Sequence, residues 1–160
     1  MDRLWSPWRY RYVSTASQSD DCIFCVKPAA DEDAANYIVL RAERNFVLLN
    51  LYPYTTGHLM IAPYEHVATL HEAHPETLAE MMRLAVRVEK ALRDTYKPDG
   101  INMGMNLGEA AGAGVAGHIH LHMLPRWTGD ANFMTTVAET RVLPEELALT
   151  YQRLTLALKA

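Results

Sequence analysis

The chain has 160 residues, 49% of them hydrophobic and 21% charged, and its formal net charge is −4 at pH 7. One domain is the default at this length, the apolar content is ample for a buried core, and the mildly acidic balance gives no electrostatic basis for binding nucleic acid. No apolar run approaches the roughly 18 residues of a membrane span. The basic N-terminus has no apolar signal core, so we expect a cytoplasmic, reducing compartment.

The N-terminal part of the chain predicts an arm and a cysteine motif. The aromatic residues between positions 5 and 12 are spaced by two or three around a proline, which favours an extended segment that buries its rings against another surface. Polar stretches at 14–21 and 28–36 predict loops. In a reducing compartment, Cys22 and Cys25 favour metal ligation or a redox pair over a structural disulfide.

The middle of the chain predicts three strands followed by a long helix. Short apolar runs with β-branched residues indicate strands at 37–42, 45–50 and 58–63. The polar ERN segment between the first two predicts a hairpin. From Pro75 to Tyr96 the apolar residues recur at helical spacing with charges on the other face, and a proline at the start is typical of a helix N-terminus.

Two more strands and a closing helix complete the predicted elements. The strands cover 101–106 and 118–124, a glycine-rich loop separates them, and an amphipathic helix covers 143–158. Three strands are consecutive and one helix precedes the last two. This order predicts an α+β fold with about five strands in a mostly antiparallel sheet, one long helix and one C-terminal helix, rather than a doubly wound fold.

The segment GHIHLHMLPRW carries three of the chain's seven histidines at alternate positions. Since successive side chains of a strand point to opposite faces, His118, His120 and His122 share one face and their apolar neighbours share the other. The segment therefore predicts a half-buried strand with one chemical face. The alternative is that the histidines merely decorate a solvated face, but three in register directly after a glycine-rich loop argue against it.

Two chemical interpretations of this face stay open from the residues alone. The imidazoles can bind a metal such as Zn, Cu, Fe or Ni. Otherwise one of them acts as a nucleophile or general base while another orients the reacting group. The glycines before the strand allow backbone N–H groups to approach an anion closely, and phosphate is the nearest candidate. The loop therefore favours the catalytic interpretation.

The sequence HIHLHML is similar to the His-φ-His-φ-His-φ-φ signature (φ is apolar) of the histidine-triad (HIT) superfamily of nucleotidyl hydrolases and transferases. TTGHLMIAPYEH and GINMGMNLG resemble two further family motifs, so the resemblance covers nearly the whole chain. With LWSPWRYRY, CIFC and PRWTGDANFM, the chain resembles the bacterial branch that includes diadenosine tetraphosphate phosphorylases. The resemblance implies a HIT-like fold in one domain, 1–160, with an N-terminal arm at 1–35 and a nucleotide-binding core at 36–160.

The resemblance also implies chemical roles. His120 matches the family histidine that attacks the α-phosphorus and forms a nucleotidyl-histidine intermediate, and a neutral imidazole has one unprotonated nitrogen for that attack. His122 is the expected phosphate contact and proton donor to the leaving group. Further phosphate contacts are implied for a side-chain amide and for backbone N–H groups that act as an oxyanion hole does: Asn106, Gly112, Gly114 and Val115.

One position departs from the family pattern. Many relatives carry Ser, Thr or Gln three or four residues before the first triad histidine, where this chain has Gly114 and Val115. Backbone N–H groups or another residue must then contact the bridging oxygen, which leaves the choice between hydrolysis and phosphorolysis open. Asn50 fits the family position that binds the ribose hydroxyls, with a turn residue as an equal alternative. Trp127 stacks on a base or simply packs against the fold.

The cysteine motif alone has two interpretations, zinc and redox. A thioredoxin-like motif begins a helix after a strand, and nothing in this sequence suggests that context. Zinc-bearing members of the HIT superfamily use two cysteines, a histidine after the third strand and the first triad histidine. Carried over to this chain, the resemblance implies a structural zinc site with four protein ligands: Cys22, Cys25, His66 and His118.

The implied function is cleavage of the α-phosphate linkage of dinucleoside polyphosphates, by phosphorolysis or hydrolysis, with adenine nucleotides as ligands and no organic cofactor. One alternative keeps the chemistry and changes the substrate to nucleoside phosphoramidates of the AMP-lysine type. Another is a non-catalytic, zinc-stabilised nucleotide-binding protein, against which the intact triad argues. Family members commonly dimerise through the long helix and a neighbouring strand, so we expect a homodimer and neither a nucleic-acid nor a membrane partner.

Overall fold

The computed structural model describes residues 21–131 and 144–159. Within them the chain forms a five-stranded sheet in the order β1-β2-β3-β5-β4, and every adjacent pair is antiparallel. This confirms the α+β prediction, while the arm predicted at 5–12 lies outside the described residues. The strands are β1 (Ile38–Arg41), β2 (Asn45–Leu49), β3 (Leu59–Pro63), β4 (Gly100–Gly104) and β5 (Leu121–Arg126), and the helices are α1 (Ile23–Ala29), α2 (Asp33–Asn36), α3 (Pro75–Tyr96) and α4 (Leu147–Lys159).

Helix α3 has the bounds that the sequence predicts. Pro75 needs no N–H acceptor in the first turn, and His74 Nδ1 accepts a hydrogen bond from the Glu76 backbone N–H at 3.2 Å. The helix ends where Lys97 adopts a left-handed conformation. Its apolar face packs on the sheet. None of the described helices combines the length and the apolar character that a bilayer span requires.

The sheet separates two buried clusters, because side chains alternate along each strand. The face under α3 and α4 carries the larger cluster, which includes Val47, Leu49, Leu59, Ile61, Val88 and Leu92. The opposite face carries a smaller cluster of Phe24, Ile38, Phe46, Leu48, Met60 and Ala62. Met60 pairs with His122 across β3 and β5, so the third triad histidine lies on the face of the smaller cluster.

The sequence pattern did not predict two short helices that precede β1. The stretch 28–36, predicted as a loop, contains the end of α1 and all of α2. Both helices are too short for an apolar period to show, although the alanine pairs at 29–30 and 34–35 favour helical turns. Tyr37, at φ 55°, ends α2 in the left-handed region and leads the chain into β1.

Strand β5, which carries the end of the triad segment, begins later than the sequence predicts. β3 ends at Pro63, which has no N–H, so the ladder does not continue past it. The Ile119 N–H donates instead to the Val67 carbonyl oxygen at 2.8 Å. β5 therefore begins at Leu121, after the first two triad histidines, and it continues through Pro125, where β3 no longer pairs with it.

The closing helix also begins later than predicted, at Leu147. The residues before it anchor the helix rather than extend it. The Glu145 carboxylate accepts hydrogen bonds from Thr150 Oγ1 at 2.8 Å and from the Tyr96 hydroxyl at 2.5 Å. Because Tyr96 is the last residue of α3, this carboxylate joins the start of α4 to the end of α3.

Glu80 on α3 fixes the β1–β2 turn to the helix. Its carboxylate accepts hydrogen bonds from the backbone N–H groups of Glu43 at 3.2 Å and Arg44 at 2.9 Å, and from Asn45 Nδ2 at 2.8 Å. Burial alone would raise the pKa of Glu80, but these donors bring the pKa below its ordinary value. The carboxylate is therefore ionised in the folded protein at pH 7.

We predict that Glu80→Gln lowers the free energy of unfolding by about 1–3 kcal/mol, because the amide leaves at least one N–H donor without its acceptor. Glu89→Gln is the matched control, since Glu89 pairs with Arg93 on the exposed side of the same helix. Its loss should stay below about 1 kcal/mol. Denaturant unfolding at pH 7 measures both changes, and equal losses would contradict the assigned role of Glu80.

Candidate active site and metal-ligand cluster

The three triad histidines lie in different surroundings. His118 is 1% exposed and His120 is 5% exposed, whereas His122 is only partly buried. The rings of His120 and His122 contact each other, with centroids 4.8 Å apart and planes at 74°. The ring of His118 lies beside His66 instead, with centroids 5.2 Å apart. The triad therefore consists of one pair of imidazoles and one imidazole that belongs to a second cluster.

The backbone of the triad segment holds His120 in one tautomer. Its Nδ1 lies 2.8 Å from the carbonyl oxygen of His118. A carbonyl oxygen only accepts hydrogen bonds, so Nδ1 carries the hydrogen. Burial lowers the pKa of His120, and the hydrogen bond to the carbonyl opposes that shift only in part, so the imidazole is neutral at pH 7. Nε2 therefore has an unprotonated lone pair.

A fourth histidine, His58, sets the tautomer of His122. Its Nδ1 lies 3.2 Å from the Tyr54 backbone nitrogen and 3.3 Å from Asn50 Nδ2. Both of these are donors, so Nδ1 of His58 accepts and its Nε2 carries the hydrogen. That Nε2 lies 2.9 Å from Nδ1 of His122. His122 accepts there and carries its own hydrogen on Nε2, where it is a donor.

Burial keeps both imidazoles of this pair neutral. Together with the smaller effect of the nearby His122 and His120, it lowers the pKa of His58 to about 3. It lowers the pKa of His122 to about 4, with a smaller contribution from His120. Because both values lie well below 7, the assigned tautomers persist across the neutral pH range.

The sequence prediction did not include His58 among the site residues. Two signals point to it in retrospect. It stands two positions before Met60, which pairs with His122, so the two histidines share a face of the sheet. It also follows Gly57, whose φ is 80° and where an added Cβ would lie within 3.3 Å of three side chains. Only glycine fits that turn without strain.

Four side chains form a second cluster, the metal-ligand cluster, whose ligand atoms all lie within 4.8 Å of one another: Cys22, Cys25, His66 and His118. His118 Nε2 lies 2.9 Å from the Pro63 carbonyl oxygen, so it donates there and its Nδ1 carries a lone pair. That Nδ1 lies 3.3 Å from Nδ1 of His66. Both cysteines are free thiols.

This chemistry fits a bound metal ion. Two imidazole nitrogens and two thiols converge on one point, and these are ligands that transition metals prefer. The buried lone pair of His118 Nδ1 points towards the other ligand atoms. One cation at that point accepts a lone pair from each of the four groups. The four residues are those that the family resemblance implies, and both thiols face the two imidazole nitrogens.

The glycine-rich loop is closed by its own hydrogen bonds. The Gly112 N–H donates to the Glu109 carbonyl oxygen at 2.8 Å, and the Gly112 carbonyl accepts from Asn106 Nδ2 at 3.4 Å. Gly112 adopts φ 92°, which suits glycine. The described contacts of Asn106 and Gly112 therefore shape the loop, and their predicted contacts to phosphate stay predictions.

The next part of the loop offers backbone donors. Within the described residues, the N–H groups of Gly114 and Val115 donate to no backbone carbonyl. The side chain of Val115 packs against the smaller cluster on the triad face. This contact holds the loop beside the triad, so the two N–H groups are the best candidates among the predicted phosphate contacts in this loop.

Asn50 and Trp127 have packing contacts in the structure. Asn50 Oδ1 accepts the Tyr52 N–H at 2.9 Å, which is an Asx turn and agrees with the turn interpretation of this residue. The Trp127 indole lies perpendicular to the Tyr96 ring, and its Nε1 donates to the Tyr96 carbonyl oxygen at 3.4 Å. Binding of ribose by Asn50 and of a base by Trp127 stays a prediction.

Comparisons with known proteins show one family. The family model described as "HIT domain" matches residues 32–129. AP-4-A phosphorylase of Mycobacterium tuberculosis is 36% identical over 154 residues, which cover 92% of this chain and 79% of that protein. Protein hit of Bacillus subtilis is 31% identical over 109 residues, which cover 68% of this chain and 73% of that protein.

Solved structures show the same fold. A zinc-bound histidine triad family protein from Mycobacterium smegmatis superposes with a TM-score of 0.71 at 30% identity, covering 87% of this chain and 94% of that chain. A hypothetical histidine triad nucleotide-binding protein from Sulfolobus tokodaii superposes with a TM-score of 0.70 at 28% identity, covering 86% and 92%.

We predict that His58 makes the protein less stable in acid. The unfolded chain protonates His58 near its ordinary pKa of 6.5, whereas the folded protein resists protonation until the pH approaches 3. Between these values the unfolded state binds more protons, so the free energy of unfolding falls as the pH falls, by at most about 1.4 kcal/mol per pH unit for this group. Above pH 6.5 His58 is neutral in both the folded and the unfolded state, so it causes no loss of stability there.

Denaturant unfolding of the wild type and of His58→Gln between pH 4 and 7 tests this. Glutamine places an amide N–H near the former Nε2 but does not titrate, so the variant should show a shallower pH dependence. His71→Gln, in which an exposed histidine is replaced, should follow the wild type. Parallel curves for His58→Gln and the wild type would contradict the assignment.

Proposed function

The chain belongs to the HIT (histidine-triad) family of nucleotide-processing enzymes, and from that premise we propose that it cleaves the α-phosphate linkage of dinucleoside polyphosphates through a nucleotidyl-histidine intermediate on His120. The observation that carries the proposal is the hydrogen bond from His120 Nδ1 to the His118 carbonyl oxygen. It leaves Nε2 as an unprotonated nucleophile in a neutral ring, which is what attack on phosphorus requires.

In the first step, Nε2 of His120 attacks the α-phosphorus. The N–P bond forms as the bond from phosphorus to the bridging oxygen breaks, and the nucleoside polyphosphate leaves with the electron pair. His122 is next to His120 and carries a hydrogen on Nε2, so it is suited to donate a hydrogen bond to the departing oxygen. His58 keeps that hydrogen on the correct nitrogen.

Negative charge that develops on the phosphoryl oxygens needs donors that are already in position. The backbone N–H groups of Gly114 and Val115 are suited to this role, because among the described residues they donate to no backbone carbonyl. They take over the position where many relatives have Ser, Thr or Gln. In the second step an acceptor attacks the same phosphorus, the N–P bond breaks, and His120 regains its lone pair.

The nature of the acceptor decides the products. Inorganic phosphate yields ADP from the nucleotidyl intermediate and water yields AMP, while the first step releases ATP from diadenosine tetraphosphate in both cases. The 36% identity to a protein named AP-4-A phosphorylase supports phosphate as the acceptor. Nucleoside phosphoramidates present the same α-phosphorus with an amine as leaving group, so they are the substrate class to compare.

We predict that the purified protein converts diadenosine tetraphosphate to ADP and ATP when inorganic phosphate is present, and that ADP does not form without phosphate. His120→Gly removes the nucleophile and should lower kcat by about 10⁴-fold or more, because no remaining group can form the intermediate. Chromatographic analysis of products measures both effects.

His71→Gln, remote from the triad in sequence and exposed, serves as the control and should retain wild-type turnover. AMP as the product under all conditions would replace phosphorolysis by hydrolysis. Faster turnover of AMP-lysine than of the dinucleotide would favour the phosphoramidate alternative. Wild-type turnover in His120→Gly would refute the role of His120, and nucleotide binding without turnover of either substrate would leave the non-catalytic alternative.

We also propose that the metal of the four-residue cluster is a structural zinc ion. Tetrahedral zinc with bonds near 2.1 Å to nitrogen and 2.3 Å to sulfur separates its ligand atoms by roughly 3.4–3.8 Å. Four of the six separations here are 3.3 Å between the two histidine Nδ1 atoms, 3.4 Å from Cys22 Sγ to His118, and 3.3 and 3.7 Å from Cys25 Sγ to His66 and His118. All six are within 4.8 Å. Four protein ligands leave no open position for substrate.

The zinc proposal predicts about one zinc ion per purified chain by elemental analysis, and a lower Tm after treatment with a chelator, since binding to the folded state stabilises it. Cys25→Ser should lose most of the zinc. His71→Gln, whose histidine is outside the cluster, should retain it. Absence of zinc from the wild type, or a full zinc complement in Cys25→Ser, would contradict the proposal.

We propose further that the protein is a cytoplasmic homodimer that pairs through β4 and α3. In the described sheet, β4 is a terminal strand and pairs only with β5. Met103 on β4 is 52% exposed, and Met82 and Val86 on α3 are 50% and 67% exposed. An open strand edge and exposed apolar residues on a helix each favour contact with a second copy. Light scattering of the purified protein tests it, and a monomer mass would refute it.

A further inference from the structure

We propose that Phe24 is a positioning residue that fixes the plane of the His120 imidazole. The inference rests on the proposed function in naming His120 as the nucleophile. The phenyl ring of Phe24 has no group that can form a bond to phosphorus or transfer a proton. Its role is to restrict how the nucleophile ring can move.

The contact between the two rings is direct. The centroid of the Phe24 ring lies 4.7 Å from that of His120, with the two planes tilted by 30°, which is within the contact range of aromatic pairs. The same ring lies 5.3 Å from His118, with planes at 46°. Phe24 is 1% exposed. One phenyl ring therefore lies against both the nucleophile and a residue of the metal-ligand cluster.

His120 needs such a contact because its hydrogen bond restrains only one atom. The bond from Nδ1 to the His118 carbonyl fixes the tautomer but allows the ring to tilt about that contact. The ring of His122 meets His120 at 74°. The Phe24 ring, whose plane makes an angle of 30° with that of His120, opposes the remaining tilt, which would move Nε2 away from the phosphorus. A displacement of about 1 Å at a reacting atom costs about 100-fold in rate.

The position of Phe24 is itself well defined. It lies between Cys22 and Cys25, whose thiols meet His66 and His118 in the metal-ligand cluster. Helix α1 has seven residues and is too short to be stable alone. The cysteine contacts and the smaller apolar cluster hold it against the sheet. The two cysteines of the sequence CIFC thus hold the segment on both sides of Phe24, and this places the phenyl ring against His120.

The experiment compares Phe24→Leu with Phe46→Leu. Phe46 is the matched control because it is in the same cluster, is 0% exposed, and stacks on Tyr64 rather than on a triad histidine. Both variants lose a buried aromatic ring of the same size. Phe24→Leu should lower kcat for diadenosine tetraphosphate by about 10- to 100-fold with KM within about threefold. Phe46→Leu should keep kcat within about threefold of the wild type.

A second readout does not depend on turnover. The ¹⁵N chemical shifts of the His120 ring report which nitrogen carries the hydrogen and whether the ring samples several states. The wild type and Phe46→Leu should show one tautomer with hydrogen on Nδ1, and Phe24→Leu should show averaged shifts. If the wild type has no turnover, the proposed function fails and this readout still tests the role of Phe24.

Several results would overturn the proposal. Equal losses of kcat in the two variants would indicate a general effect of cluster packing. A loss confined to KM would indicate a contact with substrate rather than positioning of the nucleophile. Wild-type ¹⁵N shifts for His120 in Phe24→Leu would show that the ring does not need the phenyl contact. Thermal unfolding of both variants confirms that they are compared in the folded state.

Discussion

The site depends on a hydrogen bond between two residues of the same segment, from His120 Nδ1 to the carbonyl oxygen of His118 at 2.8 Å. This bond exists because the chain leaves the sheet ladder at Pro63, so residues before Leu121 are free of strand pairing and can turn their carbonyl groups to side chains. A buried neutral imidazole with one nitrogen occupied can react only through the other. The backbone thus selects the atom that the proposed mechanism uses as its nucleophile.

The same residue type serves three purposes within five positions, and the partner of the second ring nitrogen decides which. The Pro63 carbonyl leaves His118 with a lone pair on Nδ1 that points to the cysteines. His58 leaves His122 with a hydrogen on Nε2. The three proposed roles, a metal ligand, a nucleophile and a donor, are thus compatible with one alternating motif, because each imidazole meets a different acceptor or donor in the folded chain.

The sequence was sufficient for the parts that follow from periodicity and from the family motif. The alternation around His120 predicted a chemical face. Apolar residues at helical spacing over 22 residues predicted α3. His58 was not predicted because its role depends on the register between β3 and β5, which no local pattern carries. The contact of Phe24 with His120 was not predicted either. Helix α1 is short, and its position against the sheet depends on residues that are distant in sequence.

The covalent intermediate on His120 is the central claim of this account. It is tested by mixing the protein with diadenosine tetraphosphate without phosphate, stopping the reaction within one turnover, and mapping the labelled peptide by mass spectrometry under conditions that preserve N–P bonds. The account predicts one added AMP group per chain, attached to Nε2 of His120. A label on any other residue, or turnover without a covalent adduct, would contradict it.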